Sequence, residues 1–103
     1  MIEKMFAKRL SELRMLKNVS AREMSLAIGQ NQGYINNIEN GNNLPSMMAF
    51  FYICDYLEFT PMDFFDFDAH NPKKLSSLYD DLKSLNDEQL EIICSMVKNL
   101  KAR

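Results

Sequence analysis

The side chains best placed for chemistry are four amides on one face of a segment near the middle of the chain's first half. If residues 31–40 form a helix, Ile35 and Ile38 give it one narrow apolar edge. Its outer face then carries four amides: Gln32, Asn36, Asn37 and Asn40. Because each amide both donates and accepts hydrogen bonds, such a helix is suited to presenting these groups to another molecule. The alternative is a solvated polar face.

Other combinations of reactive residues do not form a convincing site. The acidic stretch with Asp63, Asp66, Asp68 and His70 lacks the turn glycine and the closing glutamate of a calcium loop. His70 is the only histidine and has no cysteine near it in sequence, which argues against zinc. The chain also lacks a glycine-rich phosphate loop and a nucleophile with a base and an orienting acid. We therefore expect no catalytic residue, no metal and no cofactor, so the chain is not predicted to be an enzyme.

The amide-bearing segment is predicted to be the second of two short helices joined by a tight turn. Ser20 and Glu23 have the spacing of a capping box at the start of the first helix. Gly29 ends that helix, Asn31 can cap the second, and Gly41 stops it.

Three further helices are predicted near this pair along the chain, one before it and two after it. Residues 2–17 form a helix with Arg9 outside a buried stripe made of Ile2, Phe6, Leu10, Leu13 and Leu16. Ser46 caps a helix whose core face is Met47, Phe50, Ile53, Cys54 and Leu57. The apolar run 47–52 is predicted to belong to the core, although six apolar residues in a row must put some outside, and a ligand or partner surface is the alternative. Thr60 and Pro61 begin a short fifth helix ending near Phe65.

Two more helices follow a connecting loop from Asp66 to Pro72. The sixth helix is marked by Leu75, Leu78, Tyr79, Leu82 and Leu85. The seventh begins at a capping box of Asn86 and Gln89 and carries Leu90, Ile93, Val97 and Leu100 on one face. Cys54 and Cys94 lie in apolar helical patterns, so both are predicted to be buried thiols. Since no segment alternates like a strand, the fold class is all-α.

Composition is that of one ordinary globular domain, with 103 residues, 47% hydrophobic and 25% charged. The longest apolar run, 47–54, is far shorter than the ~20 residues that span a bilayer, and the first residues lack the apolar core of a signal peptide. We expect a cytoplasmic protein with no membrane segment. The net charge is −2, but residues 1–45 hold six basic and four acidic side chains, against six and ten in residues 46–103. The positive excess thus falls on the half with the amides.

Several motifs resemble the phage-repressor and Cro type of helix-turn-helix regulator, often called the xenobiotic-response-element family. The resemblance covers about residues 5–66 and includes Ser20-x-x-Glu23-Met24-Ser25-x-x-Ile28-Gly29, Tyr34-Ile35-x-x-Ile38-Glu39-x-Gly41 and Pro45-Ser46. It implies a five-helix, lambda-repressor-like DNA-binding domain over residues 1–66. Residues 67–103 resemble the C-terminal helical hairpin of some bacterial members, a possible dimerisation element.

The resemblance also implies roles for individual residues. The stretch Asn31–Asn40 becomes the recognition helix, which in this family lies in the major groove. Base-reading positions fall on Gln32, Gly33 and Asn37, with Asn36 adjacent, and phosphate contacts fall on Asn40, Asn42 and Asn43. Tyr34 either lies along the phosphate backbone or is half-buried packing. Arg14 and Glu39 match a partly buried salt bridge that joins the first helix to the third.

The sequence departs from the family pattern at Ala21, Gln30 and Gly33, and its recognition face has no arginine or lysine. Amides pair with adenine, whereas arginine and lysine prefer guanine, so we expect an A·T-leaning operator in double-stranded DNA. With few phosphate contacts the salt dependence should be shallow and a monomer should bind weakly. A homodimer on two half-sites, with Leu90, Ile93, Val97 and Leu100 in the contact, would remedy this.

Two functions follow from these patterns. The first is a sequence-specific transcriptional regulator, a repressor acting as a dimer. The alternative is a helix-turn-helix-derived protein-interaction module that has lost DNA binding and acts through its acidic C-terminal half. This alternative is supported by the lack of charge on the recognition face and by the departures from the family pattern at Ala21 and Gly33.

Overall fold

A computed structural model of the chain describes residues 1–67 and 72–102. The described residues form helices and no strand, so the all-α prediction is confirmed. In chain order the helices are α1 (Ile2–Lys17), α2 (Ala21–Ala27), α3 (Tyr34–Glu39), α4 (Met47–Leu57), α5 (Pro61–Phe64), α6 (Pro72–Lys83) and α7 (Asp87–Lys101). The chain divides into two compact units, Met1–Ala69 with α1 to α5 and His70–Arg103 with α6 and α7. No helix in the described ranges is long and apolar enough to cross a membrane.

The helix ends in the first unit follow the cap residues in the sequence. Hydroxyl oxygens of Ser20, Ser46 and Thr60 each accept a hydrogen bond from the backbone N–H three residues later, at 2.9–3.1 Å. The capping box predicted at Ser20 is only half formed. The Ser20 hydroxyl accepts from the Glu23 N–H, but the hydrogen bonds of residues 1–67 include none from the Ser20 N–H to the Glu23 carboxylate. Gly29 and Gly41 follow α2 and α3 with φ +79°, a conformation that glycine adopts at little cost.

The start of α3 differs from the prediction. Asn31 does not cap the helix, because its Oδ1 accepts from the Gly33 N–H at 3.1 Å and closes a turn ahead of it. The helix begins at Tyr34 with Gly33 as the N-cap residue, so Gln32 and Gly33 belong to the turn. The recognition helix predicted over Asn31–Asn40 is therefore shorter, and its first two reading positions lie on the turn that leads into it.

The core of the first unit is built from α1 to α5. It contains Phe6, Leu10, Leu13, Met24, Ile35, Ile38, Phe50, Ile53, Cys54, Leu57, Phe59 and Phe64. Two members of the predicted α1 stripe, Ile2 and Leu16, are exposed because they lie at the ends of the helix. Met47 is also outside, with 69% of its surface exposed. Of the apolar run 47–52, only Ala49 and Phe50 are buried, so more of the run lies outside the core than inside it.

Arg9 was predicted to lie outside the buried stripe, yet only 2% of its surface is exposed. Its Nε donates to the Phe64 carbonyl and its Nη2 to the Asp63 carbonyl, both at 2.7 Å. The guanidinium thus satisfies carbonyls at the end of α5, which a buried charge requires. Periodicity treats every arginine as outward-facing, so it did not identify this link between α1 and α5.

The second unit has a capped hairpin but almost no buried side chain. Asn86 and Gln89 form the predicted reciprocal capping box, with bonds of 2.9 and 3.0 Å. Pro72 opens α6 instead of ending the preceding loop. No described residue of α7 is fully buried, and Cys94 is exposed, so the prediction of two buried thiols is right only for Cys54. Cys94 shares this exposure with apolar residues of the same helix, among them Ile92, Met96 and Val97.

Candidate nucleic-acid interface

Helix α3 is fixed to the first unit along one edge. Ile35 and Ile38 are 0% and 1% exposed and pack in the core with Met24 of α2. Buried Ser25 adds a polar link, because its Oγ accepts from the Ile35 N–H at 2.9 Å and donates to the Ala21 carbonyl at 2.7 Å. Sequence reasoning noted Ser25 within a motif but missed this role. A small hydroxyl residue on the inner side of a short helix is the signal that could have found it.

An ion pair ties α3 to α1. Arg14 donates from Nε and Nη2 to the two carboxylate oxygens of Glu39, at 2.7 and 3.0 Å, and the side chains are 16% and 11% exposed. Nη1 of Arg14 also donates to the Val19 carbonyl at 2.8 Å, at the entry to α2. The hydrogen bond to Glu39 raises the pKa of Arg14, against the opposing effect of burial. This bidentate pair joins the elements that the resemblance assigned to it.

The opposite face of α3 and its flanking turns is rich in exposed amides. Six side chains are exposed and make no hydrogen bond within residues 1–67: Gln32, Asn36, Asn37, Asn40, Asn42 and Asn43. Gly33 is partly exposed beside them, and the Asn31 turn fixes the backbone that carries Gln32. The structure therefore leaves the predicted amides exposed on α3 and in the turns beside it, and the inner edge of α3 is held in place by the core.

Tyr34 is partly buried and packs against the core cluster. Burial raises the pKa of its hydroxyl, which therefore stays neutral near neutral pH. Of the two alternatives for this residue, half-buried packing is what the structure shows. Contact with a phosphate stays a prediction, since a packed tyrosine ring can still direct its hydroxyl toward a ligand.

The acidic loop gives no sign of a metal centre in the part of the chain that is described. Residues 1–67 and 72–102 contain no group of three or more histidine, cysteine, aspartate or glutamate side chains able to hold an ion. Asp68 and His70, two members of the set considered from the sequence, lie outside the described residues.

A family model described as helix-turn-helix matches residues 10–65, more than half of the chain. The chain belongs to the Cro/C1-type helix-turn-helix family. The matched residues run from α1 through α5 and include the α2–turn–α3 unit with its outward amides. The resemblance seen in the sequence is thereby confirmed.

Among solved structures, this helix-turn-helix protein is similar to the restriction-modification controller protein C.AhdI from Aeromonas hydrophila. The TM-score is 0.58 at 25% sequence identity, covering 61% of this chain and 91% of that one. No curated protein matches the sequence significantly. Family membership and this similarity support a DNA-binding transcription regulator and point away from an enzyme.

Proposed function

We propose that this helix-turn-helix protein is a sequence-specific transcriptional regulator that reads the DNA major groove with α3 and the turn before it. The observation that carries the proposal is the set of exposed, unbonded amides on a helix whose other edge is locked to α1 and α2. A reading helix must hold its side chains in register with base edges, and rigid packing of its inner edge supplies that.

The chemistry of the face favours A·T base pairs. Amides at Gln32, Asn36 and Asn37 can form paired hydrogen bonds with N6 and N7 of adenine, each worth about 1–3 kcal/mol of discrimination. Asn40, Asn42 and Asn43 follow at the end of α3, where uncharged donors can bind phosphate oxygens and fix the register. Tyr34 is a further candidate for a phosphate contact.

We further propose that the protein binds as a homodimer and represses. Few cations on the reading face imply a weak monomer, and two copies on half-sites one helical turn apart would multiply the affinity. The exposed apolar side chains of α7, including Val97 and Leu100, are suited to the contact between copies. Occupying a promoter is sufficient to block transcription, so repression requires nothing beyond these two units. We propose the cytoplasm as its site of action.

A second candidate function is a protein-interaction module without DNA binding. The observation that favours it is an exposed stripe on α4 formed by Met47, Met48, Phe51 and Tyr52. Adaptable methionines beside aromatic rings are typical of protein-binding surfaces. Asp55 lies farther along α4 and Glu58 directly follows the helix, and both are exposed, which gives the stripe an acidic end.

Selection from a random pool of duplex DNA tests the first function. We expect the chain to enrich an A·T-rich motif with two related half-sites. Gln32→Ala and Asn37→Ala should each weaken binding to that motif by about 1–3 kcal/mol for each bound copy, a factor of about 5–150, and relax the preference at particular base pairs. Asn99→Ala is a matched control, since it removes an exposed helical amide from α7.

The two candidate functions give different results in this experiment. If the wild-type chain enriches no motif while its helical circular dichroism is intact, the regulator proposal is wrong and the interaction module is favoured. If Asn99→Ala weakens DNA binding as much as the α3 variants do, the assignment of α3 as the reading helix is wrong.

A further inference from the structure

An open groove runs between α1 and the α3 amides. Its α1 side includes Lys4, Lys8 and Ser11, which lie one helical turn or so apart on one face of the helix. Its other side includes Asn36 and Asn40, together with Gly41 at the end of α3. The groove therefore continues the amide face sideways onto α1.

The basic side chains of the first unit fall into two groups. Arg9 binds carbonyls of α5, Arg14 pairs with Glu39, and Lys17 lies over the ring of Tyr56 with its Nζ 5.0 Å from the ring centroid. These three cations are engaged within the fold. Lys4, Lys8 and Arg22 are exposed and form no ion pair or hydrogen bond within residues 1–67. Of the free cations, two line the groove beside α3, and Arg22 on α2 does not.

Core packing accounts for neither groove lysine, and Lys4 also occupies an unfavourable position on α1. Lys4 lies in the first turn of a 16-residue helix, where the helix dipole disfavours a positive charge. Both side chains are exposed and contribute nothing to the core. A position that is unfavourable for the helix and adjacent to the reading face is better explained by binding.

The local charge favours an anion. Glu39 borders the groove, but Arg14 neutralises it through the bidentate pair. The two lysines then face one remaining carboxylate, that of Glu12, which leaves a net positive lining with amide donors opposite. DNA phosphates next to a base-reading helix present regularly spaced negative charge of the kind that such a lining attracts.

We propose that Lys4 and Lys8 bind DNA phosphates flanking the half-site read by α3, and supply most of the charge-dependent affinity that the neutral reading face lacks. This inference rests on the proposed function, because it requires that α3 be placed against DNA. Phosphate contacts add affinity without sequence preference. The lysines therefore position the protein, and the amides select the sequence.

The test is the salt dependence of DNA affinity, measured by fluorescence anisotropy on the selected duplex and on a scrambled duplex. Each phosphate contact contributes about 0.9 to the slope of log affinity against log salt, so Lys4→Ala/Lys8→Ala should reduce the slope by about 1.8 for each bound copy of the chain, and by about 3.6 when a dimer is bound. Over a fourfold rise in salt, the wild-type affinity should fall about 12-fold more than that of the variant for each bound copy. Lys4→Arg/Lys8→Arg should keep the wild-type slope, since arginine also binds phosphate.

Lys73→Ala/Lys74→Ala is the matched control, because it removes two exposed lysines from α6. It should leave the slope unchanged, and all variants should keep the wild-type circular dichroism. If the wild-type chain binds a selected motif and Lys4→Ala/Lys8→Ala has the wild-type slope, this inference is overturned and the proposed function stands. If the wild-type chain binds no duplex at all, both are overturned.

Discussion

Two arginines of α1 show how different the role of one residue type can be within a single helix. Arg9 is buried and donates to backbone carbonyls of α5, whereas Arg14 is partly buried and pairs with the Glu39 carboxylate of α3. Both satisfy their guanidinium groups, and no buried side-chain nitrogen or oxygen in the described residues lacks a partner. Each arginine therefore fixes a neighbouring helix, and Arg14 fixes the one that carries the amides.

Removing one partner of the Arg14–Glu39 pair should lower the free energy of unfolding more than replacing both partners by apolar side chains does. Glu39→Leu leaves the guanidinium without its carboxylate, so we expect a loss of about 2 kcal/mol in the free energy of unfolding. Arg14→Met should cost a similar amount because it strands Glu39 and removes the donor to the Val19 carbonyl. The double variant Arg14→Met/Glu39→Leu should cost less than either single variant, so the coupling between the two residues should exceed about 2 kcal/mol.

Urea unfolding of the wild type, the two single variants and the double variant gives this coupling as a double-mutant cycle. The exposed pair Lys83–Asp80, 3.9 Å apart on α6, is the control and should show coupling below about 0.5 kcal/mol. Additive costs at Arg14 and Glu39 would contradict a stabilising role for their pair.

The residue-scale roles were only partly predictable from the sequence. The motif resemblance assigned Arg14 and Glu39 to each other, and the structure pairs them. Arg9 and Ser25 have partners 55 and 10 residues away in the chain, at positions set by the tertiary packing. No local pattern specifies such a partner, and so the sequence did not reveal either link.

At the scale of elements, α1 to α4 are all followed by a residue in the left-handed conformation. After α2 and α3 that residue is glycine, but after α1 it is Asn18 and after α4 it is Glu58, with φ of 61° and 62°. A side chain with a Cβ is strained there by about 1 kcal/mol, and asparagine is the residue type other than glycine that tolerates it best. Glu58 is therefore a weak point in the connection from α4 to α5.

Replacing the glycine that follows α3 and introducing a glycine after α4 should have opposite effects on the free energy of unfolding. Gly41→Ala should destabilise the protein by about 1 kcal/mol, although an added Cβ would meet no atom within 4 Å, because the cost lies in the backbone conformation. Gly41→Asn should cost less. Glu58→Gly should stabilise the protein by about 0.5–1 kcal/mol. Urea midpoints measure all three, and a destabilised Glu58→Gly variant would show that strain is not the controlling term.

Most helix ends could be predicted, because serine, threonine and glycine act through their nearest backbone neighbours. The start of α3 could not, since Asn31 has two local uses, capping a helix or closing a turn, and the choice depends on how Ile35 packs in the core. The outward direction of the amides followed from the spacing of Ile35 and Ile38. The groove beside α1 could not be predicted from the sequence, because its shape depends on how α1 and α3 pack against each other.

For the whole molecule, the uneven distribution of buried surface is the main feature. The described core lies entirely between Phe6 and Phe64, and Pro72 is the only described residue of the second unit that is buried. On α7, Ile92, Met96, Val97 and Leu100 are exposed, Leu100 by 67%. On α6, Leu75, Leu78 and Tyr79 are exposed as well. Exposed apolar residues concentrated on two adjacent helices mark an interaction surface more often than a solvated one.

A second copy of the chain is the partner that the proposed function requires. An interface of about 800 Å² per partner is typical of a specific complex, and two amphipathic helices can supply it. Sedimentation equilibrium should therefore show a dimer for the wild-type chain. Val97→Glu/Leu100→Glu should be monomeric, since the interface would bury two unpaired carboxylates in each copy.

Ser95→Glu tests whether charge alone is responsible, because residue 95 is exposed and lies on the opposite side of α7 from Leu90, Val97 and Leu100. This control should remain dimeric and keep full affinity for a two-half-site duplex. The monomeric variant should keep its helical circular dichroism and its preference for a single half-site, while losing the avidity gained from two sites, about 10²-fold or more. A wild-type chain that sediments as a monomer at high concentration, with and without DNA, would remove the dimer from the proposed function and leave α3 as an independent reader of one half-site.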